Sequence, residues 1–133
     1  MITAVDTSVL LDVLTGDQRH GPASASALRQ ATADGALIAS SVVWAEAVGA
    51  VDDPRPVLAA LDRLGVELIA DDVVTATGAG AVYRAYRKAG GTRRRILPDF
   101  LIGAHALQHA DRLLTRDRGF YRSYFARLEI FEP

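Results

Sequence analysis

The chain has 133 residues, of which 50% are hydrophobic and 23% charged, a composition typical of one soluble globular domain over residues 1–133. It has no cysteine, which excludes disulfides, thiol catalysis and cysteine-bound zinc and agrees with a reducing, cytoplasmic location. The net charge is −1, no apolar run is long enough to cross a membrane, and no basic segment precedes the first apolar run, so neither a membrane partner nor a signal peptide is expected.

Short apolar runs alternate with helical patterns along the chain. In chain order, the first half predicts a strand at 2–5, helices at 7–14 and 23–33, a strand at 36–39, and helices at 42–51 and 54–64. The second half predicts a strand at 66–69, helices at 72–88 and 98–109, a strand at 112–115, a helix at 117–125 and a strand at 128–131. Gly16, Gly21 and Pro22 are expected in a loop. The alternation predicts a three-layer α/β/α fold with a mainly parallel central sheet.

Four acids occupy positions where a parallel α/β fold places functional groups. Asp6 follows the first predicted strand, Asp117 follows the fourth, and Asp99 lies in the first turn of the helix at 98–109. Glu46 is the single acid of an otherwise apolar helix, where an unpaired carboxylate is rare. The carboxyl ends of parallel strands meet at one edge of the sheet, where ligands bind. We therefore expect the four side chains in one crevice.

Each acid also has a structural explanation. Asp6 and Asp117 are suitable helix caps, Asp99 complements a helix dipole, and Glu46 could pair with an arginine. Together, however, carboxylates ~4 Å apart repel each other by about 4 kcal/mol per pair at an effective dielectric near 20. A bound divalent cation would offset this repulsion, so the quartet is the candidate catalytic and metal-binding site.

Three hydroxyls lie close to these acids in sequence: Thr7, Ser8 and Thr115. Small hydroxyls near a metal bind its waters or orient its carboxylate ligands, so these residues are candidates for a supporting role. The structural alternatives are a helix cap for Ser8 and an ordinary strand position for Thr115.

Basic residues are concentrated late in the chain. Residues 1–83 hold 4 Lys/Arg and 11 Asp/Glu, whereas residues 84–127 hold 11 Lys/Arg and 3 Asp/Glu. A basic region around an acidic crevice suits a polyanionic substrate held against a metal. Tyr83 and Tyr86 could stack on bases beside it, although a solvated helix face would have the same pattern. The candidate nucleic-acid contacts are Arg87, Arg93, Arg94, Arg95 and Arg116.

Other polar residues give weaker patterns. His105 and His109 have a spacing that can bind metal, but no third ligand follows at a convincing distance along the chain. Asp12 and Asp17 are expected on a solvated helix face and in a loop.

Four segments resemble the acidic motifs of PIN-domain ribonucleases in order and spacing. They are residues 1–11 around Asp6, 40–46 ending at Glu46, 98–104 around Asp99 and 113–120 around Asp117. The order, spacing and chain length resemble the VapC toxins of bacterial type II toxin–antitoxin systems. Many relatives carry a further acid where this chain has Gly119, which leaves the number of bound metal ions open.

The resemblance implies a Mg²⁺- or Mn²⁺-dependent endoribonuclease in which Asp6, Glu46, Asp99 and Asp117 form the acidic quartet. It further implies RNA as substrate, a homodimer, and a cognate antitoxin that blocks the site. Two alternatives share much of this sequence pattern: a metal-dependent nuclease acting on DNA, and a catalytically idle PIN-like subunit that only binds. Retention of all four acids favours an active enzyme.

Overall fold

The computed structural model describes residues 1–93 and 96–133. Within them, parallel pairing joins the strands into one central sheet with the spatial order β3-β2-β1-β4-β5. The strands are β1 (Ile2–Val5), β2 (Ala36–Ala39), β3 (Val66–Leu68), β4 (Arg112–Leu114) and β5 (Glu129–Phe131). The register places Ala4 beside Ile38 on one side and Leu113 on the other. The predicted strands and their parallel arrangement are confirmed.

Helices fill the connections between strands. They are α1 (Thr7–Leu14), α2 (Gly21–Asp34), α3 (Ser41–Gly49), α4 (Pro54–Leu64), α5 (Val73–Lys88), α6 (Leu97–His109) and α7 (Arg118–Tyr124). Gly21 and Pro22, expected in a loop, form the first turn of α2 instead. Proline is favourable there because its missing N–H has no partner within the helix and its fixed φ suits the first turn.

The direction of the chain across the sheet produces the predicted three layers. From β1 the chain moves to β2 and β3 on one side, and it then returns to β4 and β5 on the other. Because parallel crossovers are right-handed, the two directions place their helices on opposite faces. Accordingly, α1 packs against α2 and α3, whereas α5 packs against α6.

The core lies on both faces of the sheet. β1 and β4 are buried almost throughout, including Val5, Leu113 and Leu114, as expected for parallel strands covered by helices on both sides. Beyond the sheet, the fully buried ring of Phe100 is the centre of an aromatic cluster. Its ring centroid lies 5.2–6.5 Å from those of Tyr83, Tyr86, Phe120, Tyr124 and Phe125.

This cluster changes the interpretation of Tyr86. Its ring packs on Phe100 and Tyr124, and its hydroxyl accepts a hydrogen bond from the Arg93 N–H at 3.0 Å. The side chain therefore packs the end of α5 and contacts the following loop, and a base-stacking role stays a prediction from sequence. Tyr83 is also half-buried against Phe100.

The sheet has a topological switch point between β1 and β4. From β1 the chain leaves toward β2, and from β4 it leaves toward β5, so the loops that follow these two strands separate. This separation opens a crevice at their carboxyl ends, which is the usual ligand site of open α/β sheets. Asp6 follows β1 and Thr115 follows β4 at this edge, where Asp6 N–H donates to the Leu114 carbonyl at 2.9 Å.

The amino edge of the sheet is closed by a buried arginine. Arg112 donates to Asp34 at 2.7 Å and to Thr3 at 3.0 Å, and its guanidinium lies 4.3 Å from the centre of the Phe131 ring. Arg112, although part of the basic region, therefore has a structural role at the amino end of β4, opposite the carboxyl edge. Among the described residues, no helix combines the length and apolarity needed to cross a membrane.

The packing of α6 against Phe125 is testable through Gly103. A Cβ added at Gly103 would overlap ring carbons of the buried Phe125. We expect Gly103→Ala to lower the free energy of unfolding by about 1–3 kcal/mol, because the packed ring has little room to move. Urea unfolding measures the change.

Gly80→Ala is the matched control, since Gly80 lies on an exposed face of α5 with no atom within 4 Å of the added Cβ. It should raise the free energy of unfolding by up to about 1 kcal/mol through helix propensity. Equal effects of the two substitutions would contradict the packing argument.

Candidate functional site

The crevice between β1 and β4 brings together all four predicted acids. It encloses about 420 Å³ and is lined by Asp6, Thr7, Ser8, Glu46, Asp99, Arg116 and Asp117. The predicted supporting residues Thr7 and Ser8 are in this lining, and Thr115 lies directly beneath it against Asp6. The lining thus has an acidic floor with hydroxyls, and one arginine in its wall.

Asp6 is the most buried of the four acids. It is the N-cap of α1, and its Oδ1 accepts a hydrogen bond from the Thr7 N–H at 2.7 Å. Its Oδ2 accepts one from the Thr115 hydroxyl at 2.6 Å. Burial nevertheless raises the pKa of Asp6 to about 6, because these two hydrogen bonds only partly offset the loss of water and the negative charges of Asp99 and Glu46 add to it. Asp6 therefore serves as cap and site residue at once.

Thr115 couples two of the acids. Its hydroxyl donates to Asp6 and accepts the Asp117 N–H at 3.0 Å, so a single oxygen fixes the Asp6 carboxylate and the backbone of Asp117. The fully buried hydroxyl satisfies two polar groups that would otherwise lack partners.

Thr7 and Ser8 differ in what they contact. The Thr7 hydroxyl donates to a carboxylate oxygen of Glu46 at 2.9 Å, which ties α1 to α3 across the crevice. The Ser8 hydroxyl oxygen is buried and has no hydrogen-bond partner among the described residues. A buried hydroxyl without a protein partner in a crevice lining is suited to a bound water or ion.

Glu46 lies at an exposed position of α3, although its apolar neighbours led us to expect a buried acid. The half-buried Trp44 and the buried Val43 and Ala47 carry the packing of this helix, and Glu46 projects into the crevice wall. The prediction that Glu46 belongs to the site agrees with this placement. The expected burial was wrong because the apolar sequence around Glu46 covers the other side of a helix at the rim of the fold.

Asp99 and Asp117 complete the acidic lining. Asp99 lies in the first turn of α6. Burial and the negative charges of Glu46 and Asp117 raise the pKa of Asp99, and the positive charge of Arg93 offsets part of this rise. Asp117 is the N-cap of α7, and its Oδ1 accepts the Phe120 N–H at 3.3 Å. Capping uses one carboxylate oxygen of Asp117, and the other has no protein hydrogen-bond partner among the described residues.

The buried Tyr121 lies close enough to all four acids for each of their charges to affect its hydroxyl. Burial raises the pKa of the Tyr121 hydroxyl, and the negative charges of all four acids raise it further. The phenol oxygen has no hydrogen-bond partner among the described residues. Ionisation of Tyr121 is therefore strongly disfavoured, and the side chain stays neutral beneath the acids.

The donor atoms of the crevice fit a hard divalent cation. Carboxylate and hydroxyl oxygens are the ligands that Mg²⁺ and Mn²⁺ prefer, and the unpartnered Ser8 hydroxyl adds a further oxygen. Oxygens from any three acids of the quartet do not all lie within 4.8 Å of one another, so the group is open rather than closed around a point. An open arrangement is expected for like charges that a cation would draw together.

A second group of possible ligands fits a cation less well. Asp12, Asp17 and His20 have ligand atoms within 4.8 Å of one another. However, both carboxylate oxygens of Asp12 accept hydrogen bonds from Arg116, at 2.8 and 3.1 Å. A cation there would have to compete with a guanidinium that already neutralises Asp12.

Asp12 is a further residue whose burial the sequence analysis predicted wrongly. It was expected on a solvated face, but its side chain is only 5% exposed, and Ser24 of α2 also donates to it at 2.7 Å. A signal was present in the sequence, because Asp12 lies among Leu10, Leu11 and Val13 as Glu46 lies among apolar neighbours.

The candidate nucleic-acid contacts differ in position. Arg87 is exposed, with its guanidinium 5.5 Å from the Tyr83 ring centre, and Arg93 is exposed near Asp99. Arg116 lines the crevice itself. Arg94 and Arg95 lie outside the described residues, so their contribution stays a prediction from sequence.

His105 and His109 are used within the fold. The buried His105 ring nitrogen lies 2.8 Å from the Ile69 carbonyl, and burial lowers the pKa of His105. His109 lies 3.4 Å from both Asp72 and Thr75. The His109 contacts join the end of α6 to the start of α5, and the His105 contact joins α6 to the segment that follows β3.

Comparison with known proteins identifies the family. The PIN domain family model matches residues 3–126, and the chain therefore belongs to the PIN domain family. A search of curated proteins found no match.

Solved structures agree with this assignment at the level of the fold. VapBC2 from Rickettsia felis bound to a promoter DNA fragment matches with a TM-score of 0.75 and 20% identity over 99% of this chain and 98% of that chain. VapBC-1 from nontypeable Haemophilus influenzae matches with a TM-score of 0.72 and 16% identity over 99% and 98%. FitAcB from Neisseria gonorrhoeae matches with a TM-score of 0.64 and 22% identity over 98% and 96%.

The burial of Asp6 predicts a pH-dependent stability in the presence of EDTA. Unfolded Asp6 releases its proton near pH 3.8 and folded Asp6 near about 6, so the folded state holds the proton longer. The free energy of unfolding should therefore fall by about 2–3 kcal/mol as pH rises from about 4 to about 7 through this group. Urea unfolding across this range should show that Asp6→Asn lacks this part of the decrease. Identical pH profiles for the two proteins would contradict the raised pKa.

Thr115→Val tests the coupling of Asp6 to Asp117. The substitution preserves shape and leaves the buried Asp6 Oδ2 and the partly buried Asp117 N–H without this partner. We expect the free energy of unfolding to fall by about 1–3 kcal/mol in thermal or urea unfolding. Thr32→Val is the control, since Thr32 is exposed and its hydroxyl contacts only the Leu28 carbonyl of its own helix. A cost no greater than that of the control would contradict the coupling.

Proposed function

We propose that the protein is a Mg²⁺- or Mn²⁺-dependent endoribonuclease and the toxin of a type II toxin–antitoxin pair. The observation that carries the proposal is the convergence of Asp6, Glu46, Asp99 and Asp117 on one crevice at the switch point of a PIN domain. VapBC, FitAB and toxin–antitoxin complexes of the same fold support the toxin part of the proposal and an antitoxin partner. The proposed homodimer rests on the resemblance of the sequence to VapC toxins.

In this proposal the quartet holds one or two cations, and Thr7, Ser8 and Thr115 support it. A bound divalent cation supplies a water of lowered pKa and stabilises negative charge on the scissile phosphate. The raised pKa values of Asp6 and Asp99 mean that both carboxylates hold protons more readily than usual before a cation binds. Binding should therefore release protons, and the affinity should rise with pH.

The chain's own residues also position the substrate. Arg116 lies in the crevice wall and Arg93 near Asp99, and both attract the RNA backbone toward an otherwise acidic site. The other predicted contacts are Arg87, Arg94 and Arg95. Water attacks phosphorus in line, the bond to the 3′-oxygen breaks, and 5′-phosphate and 3′-hydroxyl ends result. Asp99 and Asp117 are both candidates to accept the proton of the water, and the 3′-oxygen is protonated from solvent.

Cleavage of total cellular RNA and of single-stranded DNA tests the proposal. Purified antitoxin-free protein should cleave RNA with Mg²⁺ or Mn²⁺ and not with EDTA. Asp6→Asn and Asp99→Asn should lose at least about 100-fold in rate, the upper end for residues that support metal sites. Asp62→Asn, an exposed acid on α4, should match the wild type.

The alternatives give different results in the same experiment. Cleavage of DNA but not RNA would indicate a DNA nuclease. Failure to cleave either polymer, combined with failure to bind Mn²⁺ in titration calorimetry, would overturn the proposal in favour of an idle binding subunit.

A further inference from the structure

An ion pair joins the buried Asp12 to Arg116, which is partly exposed and forms part of the crevice wall. Arg116 stands between Thr115, which holds Asp6, and the site acid Asp117. Its side chain reaches α1, where Nε donates to one Asp12 oxygen at 2.8 Å and Nη2 donates to the other at 3.1 Å. This two-pronged geometry fixes the plane of the guanidinium as well as its position.

Asp12 is itself held rigidly. Its side chain is 5% exposed, and Ser24 of α2 donates to the same oxygen that accepts the Arg116 Nε, at 2.7 Å. An ion pair in which the carboxylate is buried and the guanidinium partly buried contributes little net stability compared with apolar residues of similar size, because both charges lose water. Stability alone therefore gives little reason for a carboxylate at this point of α1.

Arg116 is buried on one side only. Its side chain remains 36% exposed and forms part of the crevice wall. Asp12 engages one N–H of Nε and one of Nη2, so the hydrogens of Nη1 and the second hydrogen of Nη2 stay available. Among the described residues that line the crevice, Arg116 is the one cation beside four acids.

We propose that Asp12 is a positioning residue that holds Arg116 so that its remaining guanidinium N–H groups bind a non-bridging phosphate oxygen of the substrate. The inference rests on the proposed nuclease function and adds a residue behind the site to it. Since Asp12 neutralises the charge of Arg116, the contribution of Arg116 to substrate binding depends mainly on the direction of its guanidinium N–H groups. A lysine, which is a point charge, should therefore replace it poorly.

Steady-state cleavage of one defined RNA with Mg²⁺ tests the proposal. Arg116→Ala should raise KM about 10- to 100-fold, the range expected for a lost hydrogen bond to a charged group. Arg116→Lys should recover only a small part of this loss. Asp12→Asn keeps the shape of the side chain but replaces one acceptor with a donor. It should also raise KM, with a smaller change in kcat.

A double substitution shows whether Asp12 acts on KM through Arg116 or independently of it. Adding Asp12→Asn to Arg116→Ala should cause no further rise in KM, because the group that Asp12 positions is already absent. Binding of the same RNA at low salt in EDTA, measured by fluorescence anisotropy, should weaken in Arg116→Ala and in Asp12→Asn. Arg118→Ala is the control, since Arg118 is an exposed arginine paired with Glu132 and is absent from the crevice lining.

The outcomes separate this inference from the proposed function. If wild-type protein cleaves RNA and Arg116→Ala does so with unchanged KM, or if Arg116→Lys restores wild-type KM, the inference alone is overturned. Additive effects of the two substitutions would also overturn it. If the wild type cleaves no RNA, the proposed function fails and this inference fails with it. Should Asp12→Asn not fold, the comparison of Arg116→Ala with Arg116→Lys still decides between the outcomes.

Discussion

The candidate site depends on the burial of Asp6 at the junction of β1 and α1. Its carboxylate caps the helix through Thr7 N–H and is held by the Thr115 hydroxyl from the neighbouring strand, yet burial still raises its pKa to about 6. A carboxylate held in this state gains more from a cation than one exposed to water, because the cation restores favourable interactions that burial removed. Burial of Asp6 thus lowers the stability of the cation-free protein but fixes the position of a candidate metal ligand.

Several residues contribute to the fold and to the crevice at the same time. Asp6 and Asp117 cap helices through one carboxylate oxygen each, and both residues line the crevice. Thr115 joins two acids through one oxygen, and Asp12 joins α1, α2 and Arg116 through one carboxylate. Because the contacts of Thr115 and Asp12 cross from one element to another, the crevice is built on packed elements at the switch point, where the loops after β1 and β4 separate.

Much of this arrangement was predictable because its signals are local. The strands follow from short apolar runs, and the helix starts follow from caps such as Ser40, Asp53 and Asp72, whose side chains accept backbone N–H groups as their sequence positions suggest. The convergence of the four acids followed from one general property of parallel sheets, that their carboxyl ends share an edge. Burial was harder to predict: Glu46 proved exposed and Asp12 buried, although both have apolar neighbours in sequence.

The sequence by itself determined the order of elements, the parallel three-layer fold and the acids that meet at its edge, because helix caps, apolar runs and strand ends act over a few residues. The tertiary structure alone decided which face of α1 lies against α2, and so made Asp12 the partner of Arg116 across 104 positions of the chain. It likewise decided that Tyr86 packs on Phe100 and that Thr115 reaches Asp6. Such contacts depend on how whole elements rotate and pack against one another, and no short stretch of sequence encodes that choice.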